Sequence, residues 1–171
     1  MNTIARFALG HPLSTVDEEA SELPQVAAQP GIELAGRVLL ATIFLLSAFM
    51  KFFNYGEIVS YADAAGLPNP TVMVAIGGVV ELLGGLSLVA GLLTRIGALA
   101  LTVFLVLAAY YFHDFWLFTG AERQIQLTHF LKNVAIIGGM LLLVVHGAGR
   151  YSIDWLLRER LGRAPRPSSP E

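Results

Sequence analysis

A carboxylate in the middle of an apolar run is the residue of this sequence best placed to do chemistry. Glu81 sits in the run GGVVELLGG, with Gly77, Gly78, Gly84 and Gly85 at −4, −3, +3 and +4 from it. On a helix those positions are the neighbours on its own face. Glu81 is therefore expected in a groove without flanking side chains, where a second helix can approach closely or a ligand or water can enter. A charge in apolar surroundings is costly and usually faces a bundle interior or a cavity. The partners on offer are Lys51, Lys132 and Arg37. His129, Lys132, Asn133 and Ile136 follow i, i+3, i+4, i+7 spacing, so the polar ones share a face. Arg37, Phe44 and Lys51 recur every seven residues and share a stripe. The predicted polar pocket is thus Glu81, Lys132, Asn133, Lys51, Arg37 and His129. The competing reading of the same residues is a structural ion pair in a packing groove, with lysines that reach outward to water.

A second polar cluster, His113, Asp114 and Trp116 with His129 nearby, is expected at the outer ends of the third and fourth helices. Its imidazole and carboxylate groups suit a divalent transition metal, but they are scattered, and no metal site is assigned. His129 and His146 lie towards opposite ends of one helix and cannot ligate one haem iron together; His146 is expected to close that helix beside Gly147. There is no cysteine, so the chain has no disulfide, thiolate nucleophile or thiolate metal site of its own.

The elements that position these residues follow from composition and hydropathy. Of the 171 residues 55% are hydrophobic and 14% charged, against about 25% charged in soluble domains. The mean hydropathy is +0.64. A helix needs about 20 apolar residues to cross the hydrocarbon core of a bilayer. Segments of roughly that length are read at about 32–53, 71–93, 96–114 and 127–146. The fourth spans only by carrying Lys132 and Asn133 into the membrane. The expected fold is all-α: a polytopic membrane protein built as a four-transmembrane-helix bundle. The net charge of −2 excludes a nucleic-acid binder, which needs a basic face.

Four spans put both termini on one side. With the termini inside, Arg6, Arg37, Arg95, Arg150, Arg158, Arg160, Arg163 and Arg166 are cytoplasmic, and only Lys51, Arg123 and Lys132 lie towards the outside. Basic residues favour cytoplasmic flanks, so both termini are placed in the cytoplasm. Residues 1–31 read as a polar cytoplasmic tail, not a signal peptide, since Arg6 breaks the short apolar run Ile4–Leu9; a short helix is expected after Thr15. Residues 32–150 form the membrane domain. Between its first two spans a short surface helix is expected around Tyr61, and Pro68 and Pro70 place the next helix start near Thr71. The aromatic residues from Tyr110 to Phe118 read as an interfacial belt. In 151–171, Ser152 is expected to cap an interfacial helix ending at Gly162, followed by a basic, disordered tail.

The runs GRVLLATIFLLSAFMKF, AGLPNP, GGVVELLGGLSLVAGLLTRIGALAL, FHDFW and HFLKNVAIIGGMLLLVVHGAGRYSID together resemble the DoxX family of small bacterial membrane proteins, over about Gly36 to Asp154. The resemblance implies a four-helix bundle in the bacterial inner membrane. It carries the family pattern onto Arg37, Lys51, Glu81, His113, Phe115, Trp116, His129, Lys132 and Asn133. The family takes its name from a subunit associated with a terminal quinol oxidase and with thiosulfate:quinone oxidoreduction, and its members are linked to membrane redox systems. The leading functional expectation is a redox-associated subunit that binds a quinone or another small lipophilic ligand around Glu81, accessory to a quinone-linked oxidoreductase if enzymatic at all. No cofactor motif is present, so electrons would pass through the ligand or a partner. The alternatives are a non-catalytic assembly subunit and a small transporter or proton pathway working as a homo-oligomer, with Arg37, Glu81 and Lys132 as a relay.

Overall fold

The computed structural model describes residues 29–162. Most of the polar N-terminal tail, with the helix expected after Thr15, and the basic tail beyond Gly162 lie outside the described residues. Among the described residues every regular element is helical: α1 (Pro30–Phe53), α2 (Tyr55–Ala64), α3 (Pro70–Ala90), α4 (Thr94–Phe112), a 3-10 turn (Phe115–Leu117), α5 (Gly120–His146) and α6 (Ile153–Gly162). Four spans, α1, α3, α4 together with the 3-10 turn, and α5, are long and apolar enough to cross a membrane.

The helix ends follow local chemistry. Proline opens both α1 and α3, where its missing N–H would have no partner in any case. α1 carries Glu33 in its first turn and Lys51 in its last, each sign complementing the helix dipole. α3 stops at Gly91, which adopts φ 66° and donates its N–H to Ser87. Leu93 also enters the left-handed region, at φ 52°, a conformation that a leucine adopts only when its surroundings enforce it. α5 starts at Gly120, taking up the polar stretch 120–126 that lies ahead of its apolar run; Glu122 and Arg123 are exposed there. Ser152 Oγ accepts the Trp155 N–H at 3.1 Å and so caps α6.

The spans pack in the order α1, α3, α4, α5, with α2 lying over the start of α3. Ala41, Phe44, Leu88, Ala98, Leu101, Leu105 and Met140 form the core. The outward faces are apolar instead of polar: Leu39, Leu83 and Val145 are 75%, 61% and 66% exposed. A bundle that shows leucine and valine to its surroundings over four membrane-length helices has lipid as its solvent.

The end of the bundle where α1 starts and α6 begins, here the terminal face, is held by charges on helix ends. Arg37 is buried and donates to the carbonyls of Leu88 at 2.6 Å and Val89 at 3.4 Å, and to that of Tyr151. It satisfies the C-terminal carbonyls of α3. Arg95 does the same for α5, donating to Val145 at 3.0 Å. Asp154 accepts the N–H groups of Leu93 at 2.9 Å and Thr94 at 3.1 Å. A carboxylate from α6 thereby caps α4 and holds the left-handed Leu93 turn in place.

Candidate functional site

The four glycines around Glu81 have separate jobs. A Cβ on Gly84 would lie 2.6 Å from Leu101 of α4, and one on Gly85 2.7 Å from Leu45 of α1. Those two positions are close-packed seams between helices. A Cβ on Gly77 would lie 3.2 Å from the Phe104 ring, whereas one on Gly78 would meet the Lys51 stem at 3.7 Å and the Phe52 ring at 3.8 Å, ordinary contact distances. The groove is thus filled by protein side chains on the +3 and +4 side. On the −4 side Gly77 opens onto a cavity.

That cavity has a volume of about 510 Å³ and its wall includes Phe44, Ser47, Lys51, Glu81, Phe104 and Asn133. It is lined mainly by apolar side chains from α1, α3 and α4, and it reaches Tyr61 of α2 and Tyr111 and His113 at the end of α4. Its rim includes Ile76, Val103 and Leu107, 52%, 55% and 52% exposed and well inside their spans. An opening flanked by such residues faces the acyl-chain region.

In this wall Lys51 Nζ lies 2.7 Å from Glu81 Oε2, the one salt bridge among the described residues, and donates to Ser47 Oγ at 2.8 Å. The ammonium also sits 5.4 Å from the centroid of the Phe104 ring, a cation–π distance. An ammonium has three donors, and two are used here. Glu81 is buried and Lys51 only partly so, so the lysine is the member that a ligand in the cavity would touch. Asn133 is 6% exposed, lines the same cavity, and makes no side-chain hydrogen bond to the described residues. Its amide therefore lines open space with its hydrogen-bonding capacity unused by the described residues.

Of the six residues read as one polar pocket, the structure brings together Glu81, Lys51 and Asn133. Lys132 is exposed, and its Nζ lies 3.2 Å from Nδ1 of His129, one turn nearer the start of α5. Its contact is thus with its own helix, and its ammonium forms no ion pair with Glu81. Arg37 is locked on helix carbonyls at the terminal face. The cavity wall contains neither Arg37 nor Lys132, so the linear array Arg37–Glu81–Lys132 does not form.

The outer cluster is built from stacking and amide contacts. The His113 and His129 rings stack with centroids 5.1 Å apart. His113 Nδ1 lies 3.1 Å from Gln126 Oε1, and Gln126 Nε2 donates to Glu122 at 3.1 Å. Trp116 packs edge-on against Phe115 and Phe130, and Asp114 is half-buried beside them. No group of three metal-ligating side chains occurs among the described residues.

Sequence reasoning missed Ser47 and Phe104. Ser47 precedes Lys51 by one helical turn, a spacing visible in the sequence. Phe104 carries no such signal, because which face of α4 meets α3 depends on the packing of Leu101 into Gly84.

The DoxX family model matches residues 32–114. YqjF, an inner membrane protein of Escherichia coli (strain K12), is 34% identical over 127 residues, covering 74% of this chain and 92% of the relative. YphA, another inner membrane protein of that organism, is 31% identical, covering 75% of this chain and 91% of its own. The uncharacterized membrane protein Rv3486 of Mycobacterium tuberculosis (strain ATCC 25618 / H37Rv) is 28% identical over 72% of this chain and 80% of its own. No solved structure matches the chain significantly.

Proposed function

The chain belongs to the DoxX family of integral membrane proteins, and on that premise we propose that it is a multi-pass protein of the bacterial inner membrane that binds a quinone or another small lipophilic molecule beside Lys51 and Glu81. Both termini are then cytoplasmic, as the excess of arginine at the terminal face favours. One observation carries the reading: a mainly apolar cavity of about 510 Å³ holds in its wall a lysine–glutamate pair and an asparagine whose amide makes no hydrogen bond to the described residues. Binding sites for small apolar ligands have this composition, with a few placed polar groups that fix orientation.

In this reading a ligand carbonyl accepts the third hydrogen of Lys51, and Asn133 hydrogen-bonds a second polar group. Glu81 keeps the ammonium in place and balances its charge. A quinone supplies the redox chemistry; the side chains described here supply orientation, charge balance and an apolar seat. The lateral rim admits such a molecule from the bilayer without passage through water. Electrons go to or come from a partner, which makes the protein an accessory subunit of a quinone-linked oxidoreductase.

The test is mass spectrometry of lipophilic molecules that co-purify with wild type, Glu81→Gln and Asn133→Leu from the same membranes in mild detergent, at matched folded yield. A defined ligand held by wild type and lost in both variants is the expected result. A wild-type protein without such a ligand, or variants that retain it unchanged, would overturn the reading.

A further inference from the structure

A second cavity, of about 210 Å³, lies at the terminal face between the start of α1 and the junction of α5 with α6. It is separate from the Lys51–Glu81 cavity and shares no lining residue with it. Its wall contains Glu33, His146, Arg150, Asp154, Trp155 and Arg158, so charges of both signs meet in one small space at the level of the helix ends.

These groups differ in how far they are already engaged. Asp154 is spent on the Leu93 and Thr94 amides. Glu33 is partly exposed and lines the cavity; its Oε2, turned against Gly149, accepts no hydrogen bond among the described residues, although the charge of Arg37 lies near enough to attract it. Arg37, one turn further along α1, directs its hydrogen bonds to the carbonyls of Leu88, Val89 and Tyr151 and makes none to Glu33. Gly149 lets the Glu33 carboxylate lie against the α5–α6 connection, in space that any side chain at 149 would occupy. On the opposite sign, Arg150 and Arg158 are exposed and form no salt bridge among the described residues. The Arg150 guanidinium lies over the Trp155 ring, 5.6 Å from its centroid, which places a tryptophan at the rim as at a membrane interface.

A partly exposed carboxylate that lines a cavity and receives no hydrogen bond among the described residues suits a cation that brings its own hydrogens. Two exposed arginines without a salt bridge among the described residues suit an anion, and guanidinium binds phosphate well. Both demands are met by one molecule only if it carries an ammonium and a phosphate a few bonds apart. Ile32, next to Glu33, and Val145, next to His146, are 67% and 66% exposed and continue from the site along the apolar spans, where acyl chains would lie. We propose that this cavity is a site for a phospholipid with a primary-amine head group, its ammonium on Glu33 and its phosphate on Arg158 and Arg150. A quaternary ammonium has no N–H to give, so the site distinguishes phosphatidylethanolamine from phosphatidylcholine.

The experiment uses the full chain, delipidated in detergent and titrated with phosphatidylethanolamine, phosphatidylcholine or phosphatidylglycerol of identical acyl chains. Native mass spectrometry reads bound lipid, and thermal melting reads stabilisation. The expected result is a several-fold excess of bound phosphatidylethanolamine over phosphatidylcholine and a higher melting temperature with the former. Glu33→Gln should remove that preference, and Arg158→Gln, at an exposed position, should weaken both lipids together. Equal binding of the two lipids by wild type overturns the proposal whatever the variants do. An unchanged preference in Glu33→Gln, or unchanged binding in Arg158→Gln, overturns the corresponding contact.

Discussion

Lys51 Nζ lies 2.7 Å from Glu81 Oε2, joining the last turn of α1 to the middle of α3 inside an otherwise apolar bundle. The glutamate is buried, while the lysine keeps partial access to the cavity. A pair placed this way has a structural consequence whether or not a ligand binds. Removing one partner strands the other charge, which costs about 3–5 kcal/mol for a buried pair. Replacing both removes the charge altogether. Lys51→Met and Glu81→Gln are each expected to lower thermal stability in detergent strongly. The double variant should lose clearly less than their sum, with a coupling of at least about 1 kcal/mol. Additive losses would mean that the two side chains do not depend on each other.

The glycines make a position-by-position prediction. Gly84→Ala and Gly85→Ala put a Cβ 2.6 Å from Leu101 and 2.7 Å from Leu45, so each must displace a packed leucine, at a cost of about 1–3 kcal/mol. Gly78→Ala meets nothing closer than 3.7 Å and should be neutral or slightly stabilising, since alanine is the better helix former. Pairing Gly84→Ala with Leu101→Ala should recover part of the loss. Melting temperatures of the four variants decide this; equal effects at positions 78 and 84 would contradict the packing.

Much of this was legible in the sequence for a physical reason. Length and hydropathy alone define a membrane span, because lipid leaves the backbone no other partner than itself. Glu81 was legible as well, since a lone carboxylate between four glycines has few meanings in an apolar helix. The choice of its partner was not. Lys51 and Lys132 both lie on stripes compatible with Glu81, and helical periodicity does not say which helices are neighbours. Once α1 packs on α3, Lys51 is in reach. Lys132 lies on α5, where contact is mainly with α4, and it meets His129 instead. The Asp154 cap was equally hidden, because it joins residues about sixty positions apart through a turn whose geometry depends on that contact.

That cap can be read by hydrogen exchange. Asp154 holds the amides of Leu93 and Thr94 at 2.9 Å and 3.1 Å, and Leu93 is in a left-handed conformation. Asp154→Ala frees both donors and should cost about 1–2 kcal/mol. The exchange of the Leu93 and Thr94 amides should accelerate markedly, while amides in the middle of α3 keep their protection. Leu93→Gly should offset part of the loss by relieving the backbone. Unchanged exchange at positions 93 and 94 would show that the turn holds without the carboxylate.

The cavity itself can be filled without touching the ion pair. Ala108 lies on α4 in the cavity wall, one turn beyond Phe104. A tryptophan there has open space to enter, so Ala108→Trp should leave stability within about 1 kcal/mol of wild type or raise it, as cavity-filling substitutions do. Lys51, Glu81 and Asn133 all remain. Any small lipophilic molecule that binds in this cavity must nevertheless compete with the indole, and its retention should fall by about tenfold or more, equivalent to about 1.4 kcal/mol. The comparison with Glu81→Gln separates two causes of lost binding. Loss in Glu81→Gln alone, with Ala108→Trp still binding, would place the ligand outside this cavity and leave Glu81 as a purely structural residue. Loss in both, with Ala108→Trp fully folded, is the outcome that follows if the space beside Lys51 is the binding site.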